Sequence, residues 1–402
     1  MLSYQRYVAF IIGSLFYAFV TLTRNLPVIV SDVLCQKFQM SEIVFGQYRG
    51  LYYLGYCLAH LPMAYALDRF GPRSVMMLSI FMCVVGLTPM LWSDSAVLLI
   101  VGRVLLGVGA STGILGVFKI NRTFFEARQF AILLGIAGTA GYTASVVGFG
   151  PLKRLFSTAG YELTLSGILV LGIVLAIASF LFIRPIQSQT QGGFIESIKK
   201  LSKNRSFWIV TLVGGLIIWS MEGFADGWSV PLLTSLFHCD LTQAVDITSV
   251  IPVGFAFGSI ALPLLAERFN KSKQIFGLSG VISSAALLGL FVPGIPIWGV
   301  LVLYAVLGCF AAYQVLCIDW GGKVVLPELS TLASASTNML IMSFGYLFHT
   351  IAALLMNNKG VMDNTLCVLQ YSRTDLLIGL APFIVSGVIA YIINTRSTYD
   401  RT

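Results

Sequence analysis

Along this chain, runs of about 20 or more mainly apolar residues alternate with short polar breaks, twelve times over. Each run is long enough for one helix to cross a bilayer, and in lipid a span must satisfy its own backbone hydrogen bonds, which a helix does. The pattern predicts spans near 6–31, 42–66, 74–92, 96–120, 129–152, 161–183, 207–236, 243–266, 274–292, 297–321, 330–356 and 375–394. The longest polar interval runs from Arg184 to Ser206 and falls between the sixth and seventh spans. It divides the chain into a six-helix bundle over 1–183, a linker over 184–206 and a second six-helix bundle over 207–402. The expected fold class is an all-α membrane protein of twelve transmembrane helices in two pseudo-symmetric bundles. The first apolar run, from Tyr7, lacks a small-residue cleavage site and reads as a retained span, not a signal peptide.

Composition agrees with the pattern. With 57% apolar and 10% charged residues, 402 residues carry more apolar surface than one soluble core can hide. The formal charge of +8 sits in loops between spans, where it orients a membrane protein, so no nucleic-acid partner is expected. If both termini lie on one side, that side collects sixteen Lys and Arg and the other collects five. The positive-inside rule then puts both termini in the cytoplasm, and a bacterial inner membrane is the expected location. Seven cysteines without CxxC spacing read as small apolar residues, with one disulfide left open among Cys35, Cys239 and Cys367 near loops on one side.

The second half echoes the first. Leu67-Asp68-Arg69-Phe70-Gly71-Pro72-Arg73 is a tight cationic loop between two spans, and its acid-Arg-Phe core returns at Glu267-Arg268-Phe269, an offset of 199 residues. Duplicated halves are a common way for secondary transporters to place a site at the repeat interface. On Asp68, Arg69, Gly71 and Arg73, the degenerate copy at Glu267 and Arg268, the run Arg103 to Gly109 in the fourth span and Gly148-Phe149-Gly150-Pro151, the chain resembles the major facilitator superfamily. The resemblance implies two bundles rocking about a central site, Asp68, Arg69 and Arg73 tying spans together at the cytoplasmic face, and Arg103 as a structural arginine. The first two spans, with Arg24-Asn25-Leu26-Pro27 and Phe45-Gly46 through Gly55-Tyr56, look like the organic-anion branch, in which an arginine near this place contacts a carboxylate. That branch's acid before the arginine is here Thr23, so its coupling chemistry does not carry over.

Ionisable groups within spans are costly and therefore candidate site residues. Arg49, Tyr52, Tyr53, Tyr56 and His60 recur at helical spacings of three and four, predicting one polar-aromatic face, with His60 read as a packing histidine. Glu222 and Asp226 are four apart on the seventh span, where two like charges favour one proton held between them. An offset near 199 also relates Arg24 to Glu222 and Lys119 to Asp319, with the charges inverted. The expected substrate-binding residues are therefore Arg24, Arg49, Tyr52, Tyr53, Tyr56, Glu222 and Asp226, with Glu222 and Asp226 coupling protons. Lys119 and Asp319 are expected to pair as a cytoplasmic gate.

The sequence has no phosphate-binding loop, no His-Glu-x-x-His and no Gly-x-Ser-x-Gly, and its three histidines form no metal constellation. Neither enzymatic activity nor a cofactor or metal is expected. The expected function is alternating-access, proton-coupled symport of a small zwitterion, an amino acid or small peptide, by a monomer in the lipid bilayer. The alternative is an organic-anion symporter; export of lipophilic cations and a non-transporting sensor are weaker readings.

Overall fold

The computed structural model describes residues 3–40, 42–126, 129–147, 149–185, 193–356, 361–363 and 368–397. Each of the twelve predicted spans falls on helix among them. Among the described residues, eight helical runs are long and apolar enough to cross a membrane, and Phe130–Gly141 and Arg205–Ile217 are shorter apolar helices. The chain forms two compact units, one of 1–199 with 327–335 and one of 200–326 with 336–402.

The first unit holds α1 (Ser3–Ile29), α2 (Ser31–Phe38), α3 (Glu42–Phe70), α4 (Pro72–Trp92), α5 (Ala96–Ala110), α6 (Thr112–Phe124), α7 (Phe130–Val147), α8 (Phe149–Ala159) and α9 (Tyr161–Phe182). The division between the units falls within α10 (Phe194–Ser202). The second unit continues with α11 (Arg205–Ile217), a π-helix over Ser220–Trp228, α12 (Ser229–Phe237), α13 (Leu241–Thr248), α14 (Val250–Arg268), α15 (Ser272–Gly289), α16 (Ile297–Ala311) and α17 (Tyr313–Lys323). After a short 3₁₀ turn come α18 (Ser330–Met356), whose first six residues belong to the first unit, and α19 (Arg373–Arg396). Between α18 and α19, β1 (Val361–Asp363) and β2 (Val368–Gln370) pair antiparallel, a small ribbon that the all-helical expectation lacked.

The repeat seen in one loop extends through the packing of each unit. In the first, a methyl group on Gly55 would strike the Val104 carbonyl and one on Gly107 would strike the Tyr52 carbonyl, so α3 and α5 touch backbone to backbone. In the second, Gly254 meets the Ala305 carbonyl and Gly308 the Ile251 carbonyl, bringing α14 and α16 together in the same way. Gly55 to Gly254 and Tyr52 to Ile251 are both offsets of 199, and Gly107 to Gly308 and Val104 to Ala305 are both 201. Small residues are what let membrane helices approach so closely. The breaks between α5 and α6 at Ser111 and between α16 and α17 at Ala312 keep the offset of 201.

The duplicated loop repeats in backbone conformation too. Gly71 follows α3 with φ 77°, a region glycine enters without steric cost, and Pro72 starts α4 at a position where its missing N–H is no loss. Its counterpart Asn270 has φ 52°, and asparagine tolerates the left-handed conformation better than most residues.

Candidate functional site

In the first unit the buried polar cluster lies where α1, α3 and α5 meet. Arg103 on α5 is 3% exposed, and its Nη2 donates to the backbone carbonyl of Arg24 at 2.9 Å. Its guanidinium carbon stands 5.0 Å from the centre of the Tyr52 ring and 5.6 Å from that of Tyr48, close enough for cation–π attraction. Nε and Nη1 of Arg103 are buried and have no hydrogen-bond partner among the described residues. Arg24, half-buried, bears electrostatically on Tyr52 and Tyr56. From Tyr52 the aromatic line continues along α3: Tyr52 stacks on Tyr56 at 6.1 Å and Tyr56 meets His60 at 5.0 Å.

The α3 face therefore follows the strict four-residue row Tyr48, Tyr52, Tyr56, His60, narrower than the one expected. Arg49 and Tyr53 are exposed, yet both bear electrostatically on Arg103, and Tyr53 meets Tyr52 edge-on at 5.4 Å. Tyr48 lies one turn before Tyr52 on the same row, so the spacing alone could have found it. Arg103, expected as structural, brings an incompletely bonded cation into the cluster, and no sequence spacing signals that. Thr23 is fully buried and its hydroxyl donates to the carbonyls of Phe19 and Val20, so it is spent on its own helix.

At the α3 end of the first unit, Asp68 is 4% exposed and accepts from Lys119 Nζ on α6 at 2.8 Å and from the Leu332 N–H at the start of α18 at 3.2 Å. Burial pushes its carboxyl above the usual aspartate range, and Lys119 pulls it back. Arg69 stays on its own helix, Nη1 donating to the Tyr65 hydroxyl at 3.0 Å, and Arg73 lies 4.2 Å above the Phe180 ring of α9. In the second copy of the loop, Glu267 and Arg268 are exposed.

In the second unit the expected acids stand on an unexpected backbone. The seventh span reads as one continuous helix, but Ser220–Trp228 closes i→i+5. Gly223 and Gly227 weaken the α-helix there, and Gly227 lets the half-buried His349 ring of α18 come against the backbone. Glu222 and Asp226 lie within this wider turn, so a separation of four residues falls just short of one turn; their side chains lie outside those described. Beside the π-helix, Phe224 packs edge-on against Tyr304 at 5.8 Å, and Ser229 Oγ donates to the Tyr304 hydroxyl at 3.1 Å. Tyr304 is the counterpart of Arg103 at the 201 offset, so this buried position is cationic in the first unit and neutral in the second.

The two residues expected to face one another as a gate each hold an opposite charge in their own unit. Lys119 bonds Asp68, and Asp319 accepts from Lys323 Nζ, four residues on, at 2.5 Å. The physical reason is proximity: each cation lies on the same unit as a buried acid, one of them on the next turn of the same helix. Cys35 and Cys239, like the other four described cysteines, are unpaired thiols; Cys367 lies outside the described residues.

The family model of the Major Facilitator Superfamily matches residues 9–349. The chain belongs to the major facilitator superfamily. It is thus an integral membrane protein and a secondary transporter. Among solved structures it is similar to the superfamily transporter FucP in its outward conformation, with TM-score 0.74 and 14% identity over 97% of this chain and 99% of that one. It is also similar to the human organic anion transporter MFSD10, with TM-score 0.70 and 13% identity over 98% of this chain and 100% of that one. At such identities the likeness shows the fold. Among curated proteins it is similar to the nitrite extrusion protein of Bacillus subtilis (strain 168), 26% identical over 158 residues. That match spans 39% of this chain and 39% of the relative's length.

Proposed function

We propose that this transporter carries a small solute bearing a carboxylate or comparable oxyanion, seated on the cationic and aromatic cluster of Arg24, Arg103, Tyr48, Tyr52 and Tyr56, and that its transport is proton-coupled. The observation that carries the reading is Arg103: a 3%-exposed guanidinium with two of its three nitrogens unpartnered among the described residues, bounded by tyrosine rings. Buried charges without compensating bonds are costly and so imply a partner, and a guanidinium's donor geometry matches a planar oxyanion. Glu222 and Asp226 supply the protons and, in a zwitterion such as an amino acid or small peptide, receive the ammonium; this part rests on their sequence spacing. Both bundles then expose the site alternately, with both termini cytoplasmic, in a monomer.

A purely anionic cargo is the second reading, favoured by the position that is Arg103 in one half and uncharged Tyr304 in the other. Two of the similar proteins, by name a nitrite extrusion protein and an organic anion transporter, lean the same way. Counterflow into liposomes of amino acids, dipeptides, hydroxy acids, nitrite and cationic dyes, with and without a pH gradient, tests both. Exchange of an amino acid but not its hydroxy-acid analogue selects the zwitterion, and exchange of both selects the anion. Exchange of the dyes alone overturns the assignment.

A further inference from the structure

His60 is fully buried, and neither of its ring nitrogens has a hydrogen-bond partner among the described residues. A neutral imidazole always presents one N–H donor and one acceptor, and a histidine kept for packing normally satisfies them. This ring instead lies tilted by 32° against Tyr56, at the end of the row that begins beside Arg103: 5.0 Å from Arg103 to the Tyr52 ring, 6.1 Å on to Tyr56 and 5.0 Å on to His60. The buried histidine and the candidate anion seat thus belong to one continuous cluster.

Resting on the anion-binding reading above, we propose that His60 is a proton-binding site coupled to that seat, so that an anion and a proton are taken up together within the first unit. The charged and titratable groups on the surrounding elements favour this. On the helices packed against α3 they are Arg73 and Cys83 from α4, Arg103 from α5, and Lys119 and Arg122 from α6, and from α1 Tyr17 and Arg24 act on Tyr56. The nearest acid along α3 is Asp68, already bonded to Lys119. No acid among these groups stands ready to balance a second positive charge, whereas an anion on Arg24 and Arg103 does. Of all these groups the imidazole alone titrates near neutrality in its unperturbed state.

The coupling has an expected size. Tyr52 and His60 are eight residues apart on one helix, about 12 Å at 1.5 Å per residue. Opposite charges at about 12 Å with an effective dielectric near 20 stabilise one another enough for a roughly tenfold change in affinity. By reciprocity, the anion raises proton affinity at His60 by the same factor as the proton raises anion affinity.

The test is binding of nitrate and alanine to the purified full chain, followed from about pH 4 to pH 8, a window wide enough for a buried imidazole and one in which both probes keep their charge. For whichever probe binds, the wild type should lose about tenfold in affinity as pH rises, and binding should take up protons, read as an enthalpy that depends on the ionisation heat of the buffer. In His60→Gln and in His60→Phe, which keeps an aromatic ring against Tyr56, each made together with Glu222→Gln and Asp226→Asn so that the other candidate proton site is silent, affinity should be flat across the same range and the buffer dependence should vanish. A pH dependence that survives in a folded variant, or wild-type binding without proton uptake, overturns the role of His60 while leaving the anion seat intact. Binding indifferent to Arg24→Ala and Arg103→Ala overturns the anion seat, and the coupling with it.

Discussion

Arg103 on α5 donates through Nη2 to the backbone carbonyl of Arg24 on α1, at 2.9 Å. The side chain of one candidate ligand thereby holds the backbone of the other. If the remaining Arg103 nitrogens meet the cargo, Arg103→Lys, which keeps charge but loses the planar fork, should lower affinity at least tenfold, since a charged hydrogen bond is worth about 1.5–3 kcal/mol. Arg24→Ala should lose a similar amount. Ligand-dependent thermal shift on folded protein is the measurement, and equal affinity in Arg103→Lys would return Arg103 to a structural role.

Glu222 and Asp226 stand in the π-helical turn of the second unit. A neutral amide mimics a permanently protonated acid. Glu222→Gln or Asp226→Asn should therefore keep substrate exchange across a membrane while abolishing accumulation driven by a pH gradient. Full gradient-driven uptake in both variants would leave the proton to another group, with His60 the next to test.

Lys119 and Asp68 form a pair that is buried on both sides, 7% and 4% exposed by side chain. Removing one partner of a buried pair leaves an uncompensated charge, a loss of about 3–5 kcal/mol. Asp68→Asn alone should thus lower the unfolding temperature in detergent sharply, and Asp68→Asn with Lys119→Gln should recover most of the loss. Additive effects in this double-mutant cycle would mean that the two charges are not coupled.

Gly107 and Gly308 carry the backbone contacts of α5 on α3 and of α16 on α14. Alanine at either position must push two helices apart, and overpacking of this kind costs about 1–3 kcal/mol. Each variant should show reduced thermal stability of similar size, because the contact is repeated. Gly138, with nothing among the described residues within 4 Å of an added methyl group, should accept alanine without loss.

The hydrophobic pattern by itself located the helices under all twelve expected spans, because lipid leaves a spanning segment few alternatives and its length is set by the bilayer. The duplication was legible from three residues of one loop, and the positive φ of Gly71 and Asn270 shares its 199-residue offset. Arg24, Tyr52 and Tyr56 stood out because charge and periodicity are properties of sequence. Tertiary structure decided which of these residues meet. It left Arg49 and Tyr53 exposed, gave Lys119 and Asp319 the partners Asp68 and Lys323, and wound part of the seventh span as a π-helix. It also brought Arg103 onto Tyr48, Tyr52 and the Arg24 carbonyl across as many as 79 residues of chain. Contacts between helices depend on their rotation and on the close approach allowed by Gly55 and Gly107, and a pattern read along one helix at a time contains neither.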